Sequence, residues 1–323
     1  MTPREDRSRA NPPERRVDPL ERRMDPPERR MDPLERRYRR LLLAYPRAYR
    51  AAHGSELLGV LLDCAAPGRT VPEAGQVAGL LAGGLRERVR HAARGDAWRD
   101  GLHLGVSAVM AVQLAVLLPF AGQLPLWVAL SALAFVAVLR GRVRVALPLA
   151  AAVAAKSVAL ASGWQPFDVT ILPIYPDFLA DRPLYADGGP GSVLLGHGVV
   201  LLGLAILSIK GVTRARSWWW CAAVPLAAWT GPGWMADGTP YPIGLGRMAL
   251  ELTALASAAW AARLTRDPRW APAAALYLAA TSAQLVEHLG ELTHQHLAYW
   301  GLLAVMTAAP ALLPLGRRRR VPD

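Results

Sequence analysis

From residue 102 onward, long apolar runs alternate with short polar turns. The first run, 102–121, holds no acid, Lys or Arg over twenty residues. As a helix it is about 30 Å long, the thickness of a hydrocarbon core. The pattern then repeats over 124–139, 145–162, 193–209, 218–236, 243–262, 271–289 and 298–315. It predicts an all-α, polytopic transmembrane helical bundle of about eight spans. Run 124–139 is short, and the fifth and sixth are interrupted by Gly and Pro around Gly231-Pro232-Gly233. Six spans with a re-entrant segment there is the rival arrangement.

The polar turns carry a second pattern. Arg140, Arg142 and Arg144 follow the second run, Lys210, Arg214 and Arg216 the fourth, Arg263, Arg266 and Arg269 the sixth, and Arg317 to Arg320 the eighth. The turns between carry no basic excess. Cytoplasmic loops are enriched in Lys and Arg, so this alternation places both termini in the cytoplasm of a multi-pass cell-membrane protein.

Ahead of the first span the pattern changes. Residues 12–37 repeat PPERRVD, PLERRMD, PPERRMD and PLERR. Proline opens every unit and removes a helix donor each time, so the seven-residue period does not describe a coiled coil. With little apolar surface to bury, 1–37 reads as a disordered low-complexity tail. Met24 and Met31 are alternative starts. Residues 38–100 read as a small cytosolic helical segment, residues 101–316 as the transmembrane domain and 317–323 as a basic cytosolic tail. Within the small segment one helix stops before Tyr45-Pro46, and a second runs from Arg47 to Ala65. Thr70-Val71-Pro72-Glu73 has the spacing of a capping box opening a third. That third helix ends in Arg86, Arg88 and Arg90 and can lie on the inner membrane surface.

Composition changes the picture in two places. The net charge of +12 would suggest nucleic acid in a soluble protein. Here the basic residues sit in the tail and alternate loops, so the partners are the lipid bilayer and anionic lipid at the basic N-terminus, with no nucleic acid. Nearly all are Arg, and with much Ala, Gly and Pro this points to a GC-rich coding sequence of actinobacterial type. Cys64 and Cys221 fall in different parts of the topology and give no disulfide framework; each reads as a structural thiol. No apolar stretch precedes a cleavage site near the N-terminus, so no cleaved signal is expected.

Ionisable residues within spans are costly and need a partner or water. The candidates are Lys156, His197, Arg247, Glu251, Glu287 and His288. In the topology above, all six fall toward the outer ends of their helices, which suggests an outward-facing polar cavity for a ligand or ion. Arg247 and Glu251, at i and i+4, can pair, and Glu251 or Glu287 is the natural acid for Lys156. Glu287, Glu291 and His294 would share one face if the helix continued, a set suited to a transition metal. The spacing does not match a zincin motif, and an exposed polar turn is the competing reading. Trp218-Trp219-Trp220 suits an aromatic belt. The acid- and aromatic-rich loop 163–192 lacks the spacing of a calcium loop. No phosphate loop, nucleophile elbow or dinucleotide fingerprint is present, and no cofactor is implied.

Residues 40–58, with Leu42-x-x-Tyr45-Pro46, then Tyr49-Arg50, then Gly54-x-Glu56-Leu57-Leu58, resemble the permease prefix domain. This short module precedes the spans of many bacterial membrane proteins. The resemblance implies a cytosolic helical module and a candidate ATPase subunit or regulatory protein as partner. The chain departs from the permeases that carry it in lacking a large extracytoplasmic domain. The expected function is a non-enzymatic permease-like component or membrane sensor. The alternatives are a stand-alone secondary transporter, and a metal-dependent membrane enzyme using the cluster between Glu287 and His296.

Overall fold

The structure is a computed structural model that describes residues 33–66, 68–93, 95–122, 124–163, 189–209, 214–230, 244–287 and 289–314. Most of the heptapeptide tail, the loop at 164–188, Lys210, the Gly231-Pro232-Gly233 interruption, His288 and the basic tail lie outside them. Among the described residues every regular element is helical. The chain divides into two units, residues 1–88 and 89–323.

The first unit holds α1 (Pro33–Leu41), α2 (Arg47–Asp63) and most of α3 (Ala74–Ala92). Helix α1 begins inside the last repeat unit, so 33–37 is helix and not tail. Proline is tolerated there because a first-turn N–H has no intrahelical partner. Leu34 and Tyr38, one turn apart, are 4% and 1% exposed and join Leu42, Leu58 and Leu80 in one core. Each such burial contributes about 1.5–3 kcal/mol in water. The Tyr38 hydroxyl donates to Gln76 Oε1. The Tyr45-Pro46 break is clasped by Arg88, which donates to the carbonyls of Leu43 and Ala44. Helix α3 starts at Ala74, not at Thr70. Val71 precedes proline and so avoids the helical conformation that a capped start at Thr70 would require. Glu73 pairs with Arg69 instead.

The second unit holds α4 (Ala97–Leu117), α5 (Pro125–Leu139), α6 (Val143–Ala161), α7 (Pro190–Ile209), α8 (Trp219–Trp229), α9 (Leu245–Thr265), α10 (Trp270–Glu287) and α11 (His294–Leu312). One helix falls on each expected apolar run. Three are long and apolar enough to cross a membrane: Ala97–Phe120, which includes a 3-10 turn after α4, Val143–Ala161 and Pro190–Ile209. Helices α5 and α8 are apolar but shorter. A helix of this kind bonds its backbone groups within its own segment, as any segment in hydrocarbon must.

Helix α4 is the centre of this unit and packs on α5, α7, α8 and α10. Its closest neighbour is α10, met by Gly101 and Gly105. A methyl on Gly105 would sit 2.6 Å from Leu276 Cδ1 and 3.0 Å from Ala273 Cα. Small residues four apart let two helix backbones approach this closely, which matters in lipid because apolar burial gives no net drive there. The main core joins α4 to α8 through Val106, Phe135, Val138, Leu204 and Val224. A second core, around Leu255, Tyr299 and Leu303, joins α9, α10 and α11.

Candidate functional site

Three helices converge on Glu251. On α9, Arg247 lies one turn before it and donates from Nε to Glu251 Oε1 at 2.8 Å. From α10, the Tyr277 hydroxyl donates to the same oxygen and accepts from Arg247 Nη2 at 3.4 Å. From α11, the Tyr299 hydroxyl donates to Glu251 Oε2 at 2.8 Å. The Arg247 and Glu251 side chains are 7% and 3% exposed. The cluster is charge-balanced, and the carboxylate accepts one guanidinium and two phenol hydrogens. Those bonds offset the desolvation that an ion pair suffers on burial. The i, i+4 pair was legible from spacing; Tyr277 and Tyr299 were not, because aromatics inside apolar runs carry no signal of what their hydroxyls meet.

The other candidates divide among separate places. Lys156 is fully buried on α6, and His197 is 8% exposed on α7. The two acids expected beside Lys156 are engaged elsewhere. Glu251 is occupied as above, and Glu287 Oε1 accepts the backbone N–H of Ser192 at 2.7 Å, in the first turn of α7. A carboxylate there meets the positive end of the helix dipole. The approach needs a bare backbone: a methyl on Gly191 would stand 2.7 Å from the Glu287 oxygen.

The continuous helix face joining Glu287, Glu291 and His294 does not form. Helix α10 ends at Glu287, a 3-10 turn covers Leu289–Glu291, and α11 starts at His294. Thr293 caps the new helix, accepting from the His296 N–H, while His296 Nδ1 accepts the Thr293 N–H. This reciprocal cap stops α10 from running on. His294 is exposed on the first turn. Among the described residues no group of three His, Cys, Asp or Glu is placed to hold a metal ion.

A second polar cluster sits at the opposite end of the helices. Asp100, in the first turn of α4, bridges two arginines: Oδ1 accepts from Arg216 and Oδ2 from Arg269, both at 3.0 Å. Arg269, 1% exposed, also meets Asp267 Oδ2 at 2.7 Å and donates to the carbonyls of Ala92, Ala93 and Gly95. Arg216 Nε donates to His103 Nδ1 at 2.9 Å, so His103 carries its hydrogen on Nε2 and donates it to the Val138 carbonyl. Burial lowers the Arg216 pKa, and Asp100 opposes that shift. Two cations thus face two carboxylates, tying α4 to the segments before α8 and α10. Sequence reading counted Arg216 and Arg269 only as topology charges. Their acid lies 116 and 169 residues away, beyond any local pattern.

Trp218 and Trp219 are 55% and 80% exposed, and the Arg140 guanidinium lies 4.6 Å over the Trp218 ring. Cys64 is exposed just past α2, and Cys221 is half-buried on α8; both are free thiols.

Comparison of the chain with protein-family models, with curated proteins and with solved structures gives no match.

Proposed function

We propose that this chain is a non-enzymatic multi-pass membrane protein that works as a permease-like component or membrane sensor, with α4 to α11 all crossing the bilayer and both termini cytoplasmic. The three long apolar helices, the two shorter ones and the basic alternate turns support that topology. In it the Asp100 cluster faces the cytoplasm, and Lys156, His197, Arg247, Glu251 and Glu287 lie in the outer halves of their helices. The observation that carries the functional reading is the Glu251 cluster. An ionised carboxylate held by three helices inside an apolar bundle is costly to keep unless it serves the protein. It joins α9, α10 and α11 into one body, the kind of unit that moves when a permease opens or a sensor responds.

The resemblance of residues 40–58 to the permease prefix module supports a partner on the cytoplasmic side. Purification of the tagged chain in mild detergent, followed by mass spectrometry of what accompanies it, tests the reading. A stoichiometric ATPase makes it a permease component, and a stoichiometric regulator makes it a sensor. Repeated recovery of the chain alone overturns both and leaves a self-contained site.

A further inference from the structure

Two arginine-bearing segments meet where α5 ends and α8 begins. The backbone N–H of Arg216 donates to the Leu139 carbonyl at 2.7 Å. That bond lays residues 214–219 beside the turn Arg140-Gly141-Arg142, which joins α5 to α6. A side-chain contact adds to it, the Arg140 guanidinium over the Trp218 ring. The two segments are thus joined twice, once through the backbone and once through side chains.

The patch they form is cationic. Arg140, Arg142 and Arg214 are all exposed. Among the described residues none of the three pairs with a carboxylate. Arg216 and Arg269 differ, because Asp100 and Asp267 neutralise them. Like charges on neighbouring turns repel, and an anion from outside relieves that repulsion. Arginine suits a phosphate, since its planar fork offers parallel N–H bonds. A ring stacked on the guanidinium face, as Trp218 is on Arg140, leaves those in-plane donors open.

The indoles indicate where that anion comes from. Trp218 and Trp219 are 55% and 80% exposed at the start of the apolar helix α8. Indoles in such a place lie at headgroup level in a bilayer. The anion within reach of Arg140, Arg142 and Arg214 is therefore the phosphate of a lipid.

We propose that this patch is a headgroup site for one anionic phospholipid of the cytoplasmic leaflet, with the phosphate shared between the 140–142 turn and Arg214. The site rests on the membrane-spanning reading above, but not on the partner named there.

Native mass spectrometry of the delipidated full chain in mild detergent, titrated with phosphatidylglycerol or phosphatidylcholine, tests it. Wild type should take up one phosphatidylglycerol and bind phosphatidylcholine at least about tenfold more weakly. Arg140→Gln and Arg214→Gln should each weaken phosphatidylglycerol about fivefold and leave phosphatidylcholine unchanged. Trp218→Leu releases the Arg140 guanidinium and should weaken phosphatidylglycerol about two- to fivefold. Arg263→Gln removes an exposed charge from the last turn of α9, on the same side in the proposed topology, and should change binding by less than about twofold. Excess inorganic phosphate should leave the lipid bound. Thermal melting identifies any variant that fails to fold, and the folded ones decide. Equal binding of the two lipids by wild type, unchanged binding by folded Arg140→Gln and Arg214→Gln, an equal loss in Arg263→Gln, or displacement by inorganic phosphate overturns the proposal. Flotation of the chain reconstituted in phosphatidylcholine vesicles reads membrane insertion separately, so a negative lipid result with an inserted chain counts against this site alone.

Discussion

Asp100 and Glu251 each hold together parts of the chain that are remote in sequence, and each does so by accepting from several donors at once. Removing such an acceptor leaves buried donors unpaired, which costs far more than a surface pair is worth. Asp100→Asn should destabilise the bundle by about 3 kcal/mol, read as a lowered melting temperature in detergent. Exposed Glu56→Gln in the first unit should leave it unchanged within about 0.5 kcal/mol. Tyr277→Phe and Tyr299→Phe each delete one hydrogen bond to the same carboxylate and should cost about 1.5–3 kcal/mol apiece. Because they share Glu251, the double variant should depart from the sum by at least about 0.5 kcal/mol. Strict additivity would mean that the two phenols do not act on one group. Of these residues only Arg247 and Glu251 were legible as a pair, since i, i+4 spacing fixes proximity without knowledge of the fold. The arginines on Asp100 were visible only as charge, because Asp100, the acid they share, comes from the start of α4, 116 and 169 residues away.

At the scale of helices, the apolar runs located the elements and the capping chemistry set their ends. The eight runs were readable because an apolar helix meets the backbone's need for internal hydrogen bonds within its own segment. The ends at 70–74 and 287–294 were not readable from spacing. Val71 before proline delays one helix, and Thr293 with His296 begins another where a continuous face for Glu287, Glu291 and His294 was expected. Helix α1 reached back into the repeat because Leu34 and Tyr38 found a core there, which composition cannot reveal. Two helix-level contacts carry their own tests. Gly105→Leu should drive α4 and α10 apart and cost about 1–3 kcal/mol, with Gly122→Leu, whose methyl meets nothing within 4 Å, as the tolerant control. Glu287→Ala removes the acceptor at the start of α7 and should cost about 1 kcal/mol, seen as faster amide exchange at Ser192. Unchanged exchange there would separate Glu287 from the cap.

For the whole molecule, apolar helices and alternating basic turns together support the proposed bundle with both ends in the cytoplasm. Part of that basic excess is structural: Arg216 and Arg269 are bound to Asp100, and the proposed topology also puts them on the cytoplasmic side. The two roles agree, because a buried ionic knot is less costly near an aqueous face than at mid-membrane. The most direct measurement is labelling of single cysteines in intact cells, with Cys64 and Cys221 replaced by Ser. A membrane-impermeant maleimide should label Gly163→Cys and Gly290→Cys, and should reach Gly141→Cys and Arg266→Cys only after the cells are opened. Labelling of Gly141→Cys or Arg266→Cys in intact cells, or protection of Gly163→Cys and Gly290→Cys there, would contradict the eight-span arrangement.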